Sequence, residues 1–303
     1  MLSTLADVSA MHPWFFPAVA LVFGLCIGSF LNVVIYRVPA GKSIVRPGST
    51  CGCGQPIAWH DNIPVLSWLI LRGKARCCGR PFSFRYPFVE LLTGALFLAC
   101  WLRMPPAAAV CGWVFLGSLI SGTFIDLDHM IIPDAFTIGL AVAGLVLSAL
   151  VPSLHGQHSE YFVLDSLRSV SAALIGVVAG SGVVLWIALT AEVLLKKEAM
   201  GFGDVKFVGA IGAFCGWHGA IFSIFGGAAV GTLWVGLALC WEKISGKPAA
   251  VSPRAETAEG APADMGLGVH VPFGPMLAVA GAVYFLFLRG WVDAWLDQVS
   301  ALL

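Results

Sequence analysis

Apolar residues run along this chain in long blocks, and polar residues collect in a few gaps between them. A helix needs about 20 mainly apolar residues to cross a bilayer. Blocks of that kind fall at 14–36, 86–102, 106–125, 135–151, 167–195, 207–222, 224–240 and 272–287, which predicts eight spans. The sixth and seventh are parted only by the weak break Trp217-His218-Gly219 and could equally form one long element. The fold class that follows is an all-α polytopic transmembrane helix bundle with a small insertion between spans 1 and 2. The chain divides into a first span at 1–36, a cysteine-containing loop module at 37–85 and a membrane core at 86–303. A second polar loop covers 243–270, and its stretch 247–264, rich in Ala, Pro and Glu, has the composition of a flexible linker.

Composition sharpens the picture. Of 303 residues, 58% are hydrophobic and 11% charged, against roughly 25% charged in an ordinary soluble domain. Mean hydropathy is +0.88. So few charges cannot cover a water-facing surface, so most of the surface must meet lipid. A soluble enzyme, a disordered chain and an ordinary nucleic-acid binder are excluded, and the formal net charge of 0 gives no bulk basic signal. Eight spans would put 14 of the 17 Lys and Arg residues on one side, eight of them between the first two spans. The positive-inside rule makes that side cytoplasmic and places both termini on the non-cytoplasmic side. No Lys or Arg precedes Trp14, so the start reads as a membrane anchor and not as a cleaved secretory signal.

Charges in or beside a span are costly and mark function by default. Two sites stand out. One is Phe124-Ile125-Asp126-Leu127-Asp128-His129, followed by Ile132-Pro133-Asp134, where Pro133 breaks the chain before the next span. The other is Gly201-Phe202-Gly203-Asp204-Val205-Lys206. The distribution of Lys and Arg puts Asp126 and Asp204 on the same side at similar depth. Two facing carboxylates at an apolar boundary are the parts of an aspartic protease, in which one proton is shared by the pair. Glycines beside Asp204 let a peptide backbone approach closely and permit positive φ. Asp128 reads as a solvated neighbour, Asp134 as the N-cap of the fourth span, and Lys206 as a balance for Asp204. Glu90 and Glu192 also fall within predicted spans. Glu90, near the cytoplasmic edge, reads as buried and paired, with catalysis as the alternative. Gly24 and Gly28 have the G-x-x-x-G spacing of helix packing.

These residues resemble a known family. Gly201-Phe202-Gly203-Asp204 is similar to the GxGD signature of membrane aspartyl proteases, and Asp126 ahead of Pro133 makes the pattern resemble the type IV prepilin peptidases in particular. The likeness extends through Gly28-Ser29-Phe30-Leu31-Asn32, Asp61-Asn62-Ile63-Pro64, Leu71-Arg72-Gly73, Arg85-Tyr86-Pro87-Phe88-Val89-Glu90 and Pro272-Phe273-Gly274-Pro275. It implies a bifunctional enzyme that removes the basic leader of prepilins and pseudopilins at the cytoplasmic membrane face. The same enzyme then N-methylates the new terminal residue with S-adenosylmethionine, for pilus assembly, type II secretion or DNA uptake. The residues matching the family's catalytic aspartates are Asp126 and Asp204, supported by Gly201, Gly203, Lys206 and Pro133. Asp61, Asp128 and Asp134 are expected contacts for the basic leader.

Many members of that family carry two CxxC pairs in the loop, a zinc signature. Here the pattern is Cys51-Gly52-Cys53 and Cys77-Cys78, with Ala75 in the place of one expected cysteine. Adjacent Cys77 and Cys78 do not easily share one tetrahedral ion. Cys51, Cys53 and Cys78 with either Cys77 or His60 form the candidate set for a structural zinc. The alternative is a degenerate site with reduced thiols. The residues that would bind S-adenosylmethionine are not legible in the sequence. Rival readings are a protease-only GxGD peptidase, an ion- or proton-coupled membrane transporter with Asp126 and Asp204 as ligands, and a structural assembly factor.

Overall fold

The computed structural model describes residues 11–196, 201–245 and 272–300. The expected linker at 247–264 and the segment ahead of Met11 lie outside the described residues. The architecture is a helical bundle, and among the described residues no strand forms. In chain order the helices are α1 (Phe15–Arg37), the short α2 (Leu66–Ile70), α3 (Arg85–Arg103), α4 (Pro106–His129), α5 (Ile138–Leu150), α6 (Phe162–Leu195), α7 (Phe202–Ser245), α8 (Gly274–Val283) and α9 (Arg289–Ser300). A π-helical turn, Tyr284–Leu288, joins the last two. Six helical stretches are long and apolar enough to cross a membrane, and the shorter apolar stretch Asp134–Leu150 adds to them.

The expected weak break between spans six and seven proves to be a reversal. Gly216, one residue before the expected break, sits at φ 69°, ψ −176° in the middle of α7. An added Cβ at Gly180 of α6 would meet Ala220 and Val208 at 3.0 Å each. A straight helix would separate those two residues by about 18 Å, so the chain doubles back at Gly216 and α7 is two antiparallel arms. Counted by arm, the apolar segments among the described residues number eight. The first arm and α5 are each only about 20 Å long by their residue count.

Close backbone approach holds the bundle together where lipid gives no hydrophobic drive between helices. A Cβ on Gly176 of α6 would lie 2.1 Å from the carbonyl oxygen of Gly212 in α7, and the reverse contact is equally short. Gly24 and Gly28 serve helix packing as their spacing suggested, with Gly28 set against the Cα of Glu90 in α3. The main core lies between α4, the first arm of α7 and α8. There Phe115 stacks on Phe214 at 4.8 Å between ring centroids and meets Phe285 at 5.0 Å. Large apolar side chains such as Trp186 and Val178 on α6 point outward, which suits a lipid-facing surface. At the end opposite the two aspartate motifs, Asp293 accepts from Tyr284 at 2.5 Å and pairs with His218 at 3.0 Å.

Candidate active site

The last turn of α4 carries Asp126, which is 6% exposed. The helix stops there because Met130 turns to φ 54° and donates its N–H to the Asp126 carbonyl at 2.9 Å. Residues 131–133 then run to a short turn, Asp134–Phe136, which starts at Pro133. Asp204 lies in the first turn of α7, half-buried, just after Gly201. The charge of Asp126 reaches Asp204, so the fold brings into electrostatic contact two carboxylates that are distant in sequence.

A third element closes over this pair. The Gly274 backbone N–H at the start of α8 donates to the Asp126 carboxylate. A Cβ at Gly274 would lie 2.6 Å from Asp126 Oδ2, so no other residue fits there without displacing the carboxylate. Two helix N-termini, those of α7 and α8, therefore converge on the acid pair, and their unpaired N–H groups favour negative charge beside them. Ile132 fills the space between Gly203 and Gly274. Neither Gly201 nor Gly203 adopts positive φ, so of the two reasons expected for these glycines only close approach remains.

Several neighbours sit otherwise than expected. Lys206 does not balance Asp204; its Nζ lies 2.7 Å from Asp134 Oδ1. Asp134 is accordingly not the N-cap of α5, a position held by Thr137. Asp128 is not merely solvated, for Arg85 at the start of α3 pairs with it at 2.7 Å and also donates to the Phe124 carbonyl. Arg76 grips Asp61 in a bidentate contact at 2.8–3.0 Å and holds its carboxyl below the usual carboxylate range. The three acids expected to meet a basic leader are thus each already engaged by a cation of this chain. Glu90 is buried at 8% exposure, as expected, but its partners are the Val65 N–H at 2.7 Å and the Ser29 hydroxyl.

The cysteine module is built from two knuckles, each closed by an isolated antiparallel bridge, Thr50 with Pro56 and Lys74 with Pro81. Gly54 and Gly79 turn the knuckles at φ 88° and φ 68°. These turns bring all four thiols together. Cys51 Sγ lies 3.6 Å from Cys78 Sγ, and Cys53 Sγ 3.4 Å from Cys77 Sγ. No two ligand atoms of the four lie more than 4.8 Å apart. Adjacency of Cys77 and Cys78 is therefore no obstacle, because the second knuckle aims both at one point. His60 stands outside the cluster, beside Asp61 at 3.8 Å. A tetrahedral zinc with Zn–S bonds of about 2.3 Å needs sulfurs roughly 3.8 Å apart, and the four sulfurs fit that donor set. Cys51 is pulled down to about 7 by hydrogen bonds from Cys53 and Cys77, while Cys77 is pushed up to about 12 by the neighbouring thiols.

Fold and site together define a class: polytopic helical membrane proteins with a carboxylate pair at one end of the bundle and a thiol cluster in an adjoining loop module. Comparison with known proteins narrows this. Residues 22–104 match the Bacterial Peptidase A24 N-terminal domain, and residues 113–236 match the Type IV leader peptidase family. The chain is 33% identical over 318 residues to the prepilin leader peptidase/N-methyltransferase of Aeromonas hydrophila, covering 94% of this chain and 96% of the relative. The proteins of that name from Klebsiella pneumoniae and Myxococcus xanthus are 38% and 40% identical, over 72% and 74% of this chain and 92% and 66% of the relatives. No solved structure matches. The chain belongs to the type IV leader peptidase family.

Proposed function

We propose that this protein is a membrane aspartyl peptidase and methyltransferase of type IV prepilins, with Asp126 and Asp204 as its catalytic pair. The supporting observation is the convergence of these two carboxylates under the N-termini of α7 and α8. One carboxylate takes a proton from water while the other, protonated, polarises the scissile carbonyl. The pair titrates as a unit. The Gly274 N–H orients the Asp126 carboxylate, and Gly201 and Gly203 leave room for the substrate backbone. A prepilin presents an apolar helix, so its cleavage site is delivered along the bilayer to the helix ends where the pair lies. Transport is the weaker reading, since transporter sites prefer the midplane and these acids stand at helix termini.

The basic-residue distribution supports a cytoplasmic position for the pair and the cysteine module at 37–85, with both termini periplasmic. The membrane core at 86–303 then carries the peptidase, behind a first span at 1–36. The methyl donor is S-adenosylmethionine, which supplies an electrophilic methyl group. A zinc ion held by Cys51, Cys53, Cys77 and Cys78 would tie the two knuckles together and leave no open coordination position. The test is leader cleavage by purified Asp126→Asn and Asp204→Asn proteins. Each should lose about 10²–10⁴-fold or more in rate with an unchanged thermal midpoint; full cleavage by either variant removes the assignment.

A further inference from the structure

A cavity of about 620 Å³ lies between α1, the cysteine module and the first turns of α3. That volume is in the range of small-molecule sites. Its lining includes the aromatic rings of Trp68 and Tyr86, the amide of Asn62, and two carboxylates, Asp61 and Glu90. It also includes the cations Arg37 and Lys74. Flat rings, a carboxylate and cations in one cavity suit a ligand that combines a nucleobase, a sulfonium and an amino-acid end. Most of the charged groups are already committed. Asp61 is gripped by Arg76, and Arg37 donates to the carbonyls of Ser43 and Gly48. Glu90 is different: among the described residues it has no cationic partner, and its contacts are one backbone N–H and one hydroxyl.

The chain strains itself to make one of those contacts. Val65, a β-branched residue, sits at φ 61°, ψ −48°, and from there its N–H reaches Glu90 at 2.7 Å. Such a conformation costs on the order of 1–3 kcal/mol and persists only where its surroundings demand it. The cavity also adjoins the peptidase end of the bundle. Arg85, five residues before Glu90 on α3, binds Asp128 and the Phe124 carbonyl, beside Asp126 on α4.

We propose that Glu90 is the base of methyl transfer, holding the newly freed terminal ammonium of the pilin in this cavity and taking its proton. The inference rests on the reading of this protein as a methyltransferase. An ammonium has no lone pair and cannot attack a methyl group. Transfer of one proton to the Glu90 carboxylate gives a neutral amine and a carboxylic acid. The nitrogen lone pair then forms the N–C bond as the C–S bond breaks, and its electrons return to sulfur. The products are an N-methylammonium and the neutral thioether S-adenosylhomocysteine, and the proton on Glu90 leaves through the open cavity.

The experiment uses the full chain in detergent with a prepilin and, separately, with the already trimmed pilin, following leader loss and transfer of labelled methyl. Glu90→Gln should cut methyl transfer by 10²-fold or more while leader cleavage stays within about threefold. Binding of S-adenosylhomocysteine, measured by calorimetry, should change less than threefold. Raising the pH from 7 to 9 should restore transfer by about five- to tenfold in the variant, since a terminal amine, with pKa about 8, then deprotonates without help. Glu90→Asp, which keeps the carboxylate, should methylate faster than Glu90→Gln; it also carries the test if the amide variant does not fold. Wild-type methylation by Glu90→Gln, or a lost rate that no pH restores, overturns the role of Glu90 and leaves the methyltransferase reading intact. A wild-type protein that cleaves but never methylates overturns that reading itself.

Discussion

The contact between Gly176 and Gly212 offers a direct way to ask whether the proposed peptidase pair depends on helix spacing far from it. A methyl group added at Gly212 would stand 2.1 Å from the Gly176 carbonyl oxygen, where ordinary contact begins at 3.4 Å. The obstacle is backbone, so no side chain can swing aside, and α6 must separate from the first arm of α7 by about 1 Å. Overpacking of this kind costs about 1–3 kcal/mol, sometimes more. Asp204 lies eight residues earlier on the same arm, about 12 Å along a rigid helix, so the displacement carries through to the acid pair. Misplacing a catalytic group by about 1 Å can cost ~10²-fold in rate. Gly212→Ala should therefore cleave prepilin ~10²-fold more slowly, assayed well below its thermal midpoint so that the folded protein is measured. Gly182→Ala on α6 meets no atom within 4 Å and should cleave normally. Equal rates for Gly212→Ala and wild type would refute the argument that this close approach sets the position of Asp204.

Two further outcomes concern the cysteine module. Cys78→Ser should reduce bound zinc from about one ion per chain to none by elemental analysis, and a chelator should make the wild-type module as protease-sensitive as the variant; zinc content unaffected by the change would end the metal assignment. The Asp61 carboxyl is held below its ordinary value by Arg76, so the pair contributes to stability above the unfolded value of about 4 and its contribution is lost as pH falls through the lower folded value. Tryptophan fluorescence from Trp59 and Trp68 should accordingly report loosening only below about pH 4. The transition should be absent in Asp61→Asn, and a transition centred above pH 5 would contradict this sign.

Much of the membrane architecture was legible because it is written in local composition: a block of apolar residues is a span wherever its neighbours lie. The aspartates were legible for a related reason, since charge at a span boundary is conspicuous against lipid. What escaped the sequence is almost all pairing at a distance. Lys206 was matched with Asp204, two residues away, but its partner is Asp134, on the far side of α6 in the chain. Asp134 in turn looked like a helix cap because caps are local, whereas its ion pair is not. Gly274 gave no local hint of its place against Asp126, since a glycine between prolines has no chemistry to announce; its signal is the space a Cβ would take. The cysteines misled in the same way. Spacing along the chain argued against a shared ion for Cys77 and Cys78, while the bridge-closed knuckles aim all four sulfurs at one point.

The same contrast explains how one small bundle can hold two chemistries. Hydrolysis needs acids that share a proton, and under the proposed function Asp126 and Asp204, close enough for the charge of one to act on the other, supply them. Methyl transfer needs a carboxylate that is not shared, and among the described residues Glu90 is in no ion pair, fixed instead by a hydroxyl and by the N–H of a strained Val65. Neither environment could serve the other step. A lone carboxylate cannot both take a proton from water and polarise the carbonyl, and a pair already holding one proton between them is a poor acceptor for an ammonium. Glu90 stands on α3 and Asp126 on α4, and Arg85 and Asp128 tie those two helices together at the same end of the bundle, so the two proposed proton-handling sites stay separate within one end of the fold.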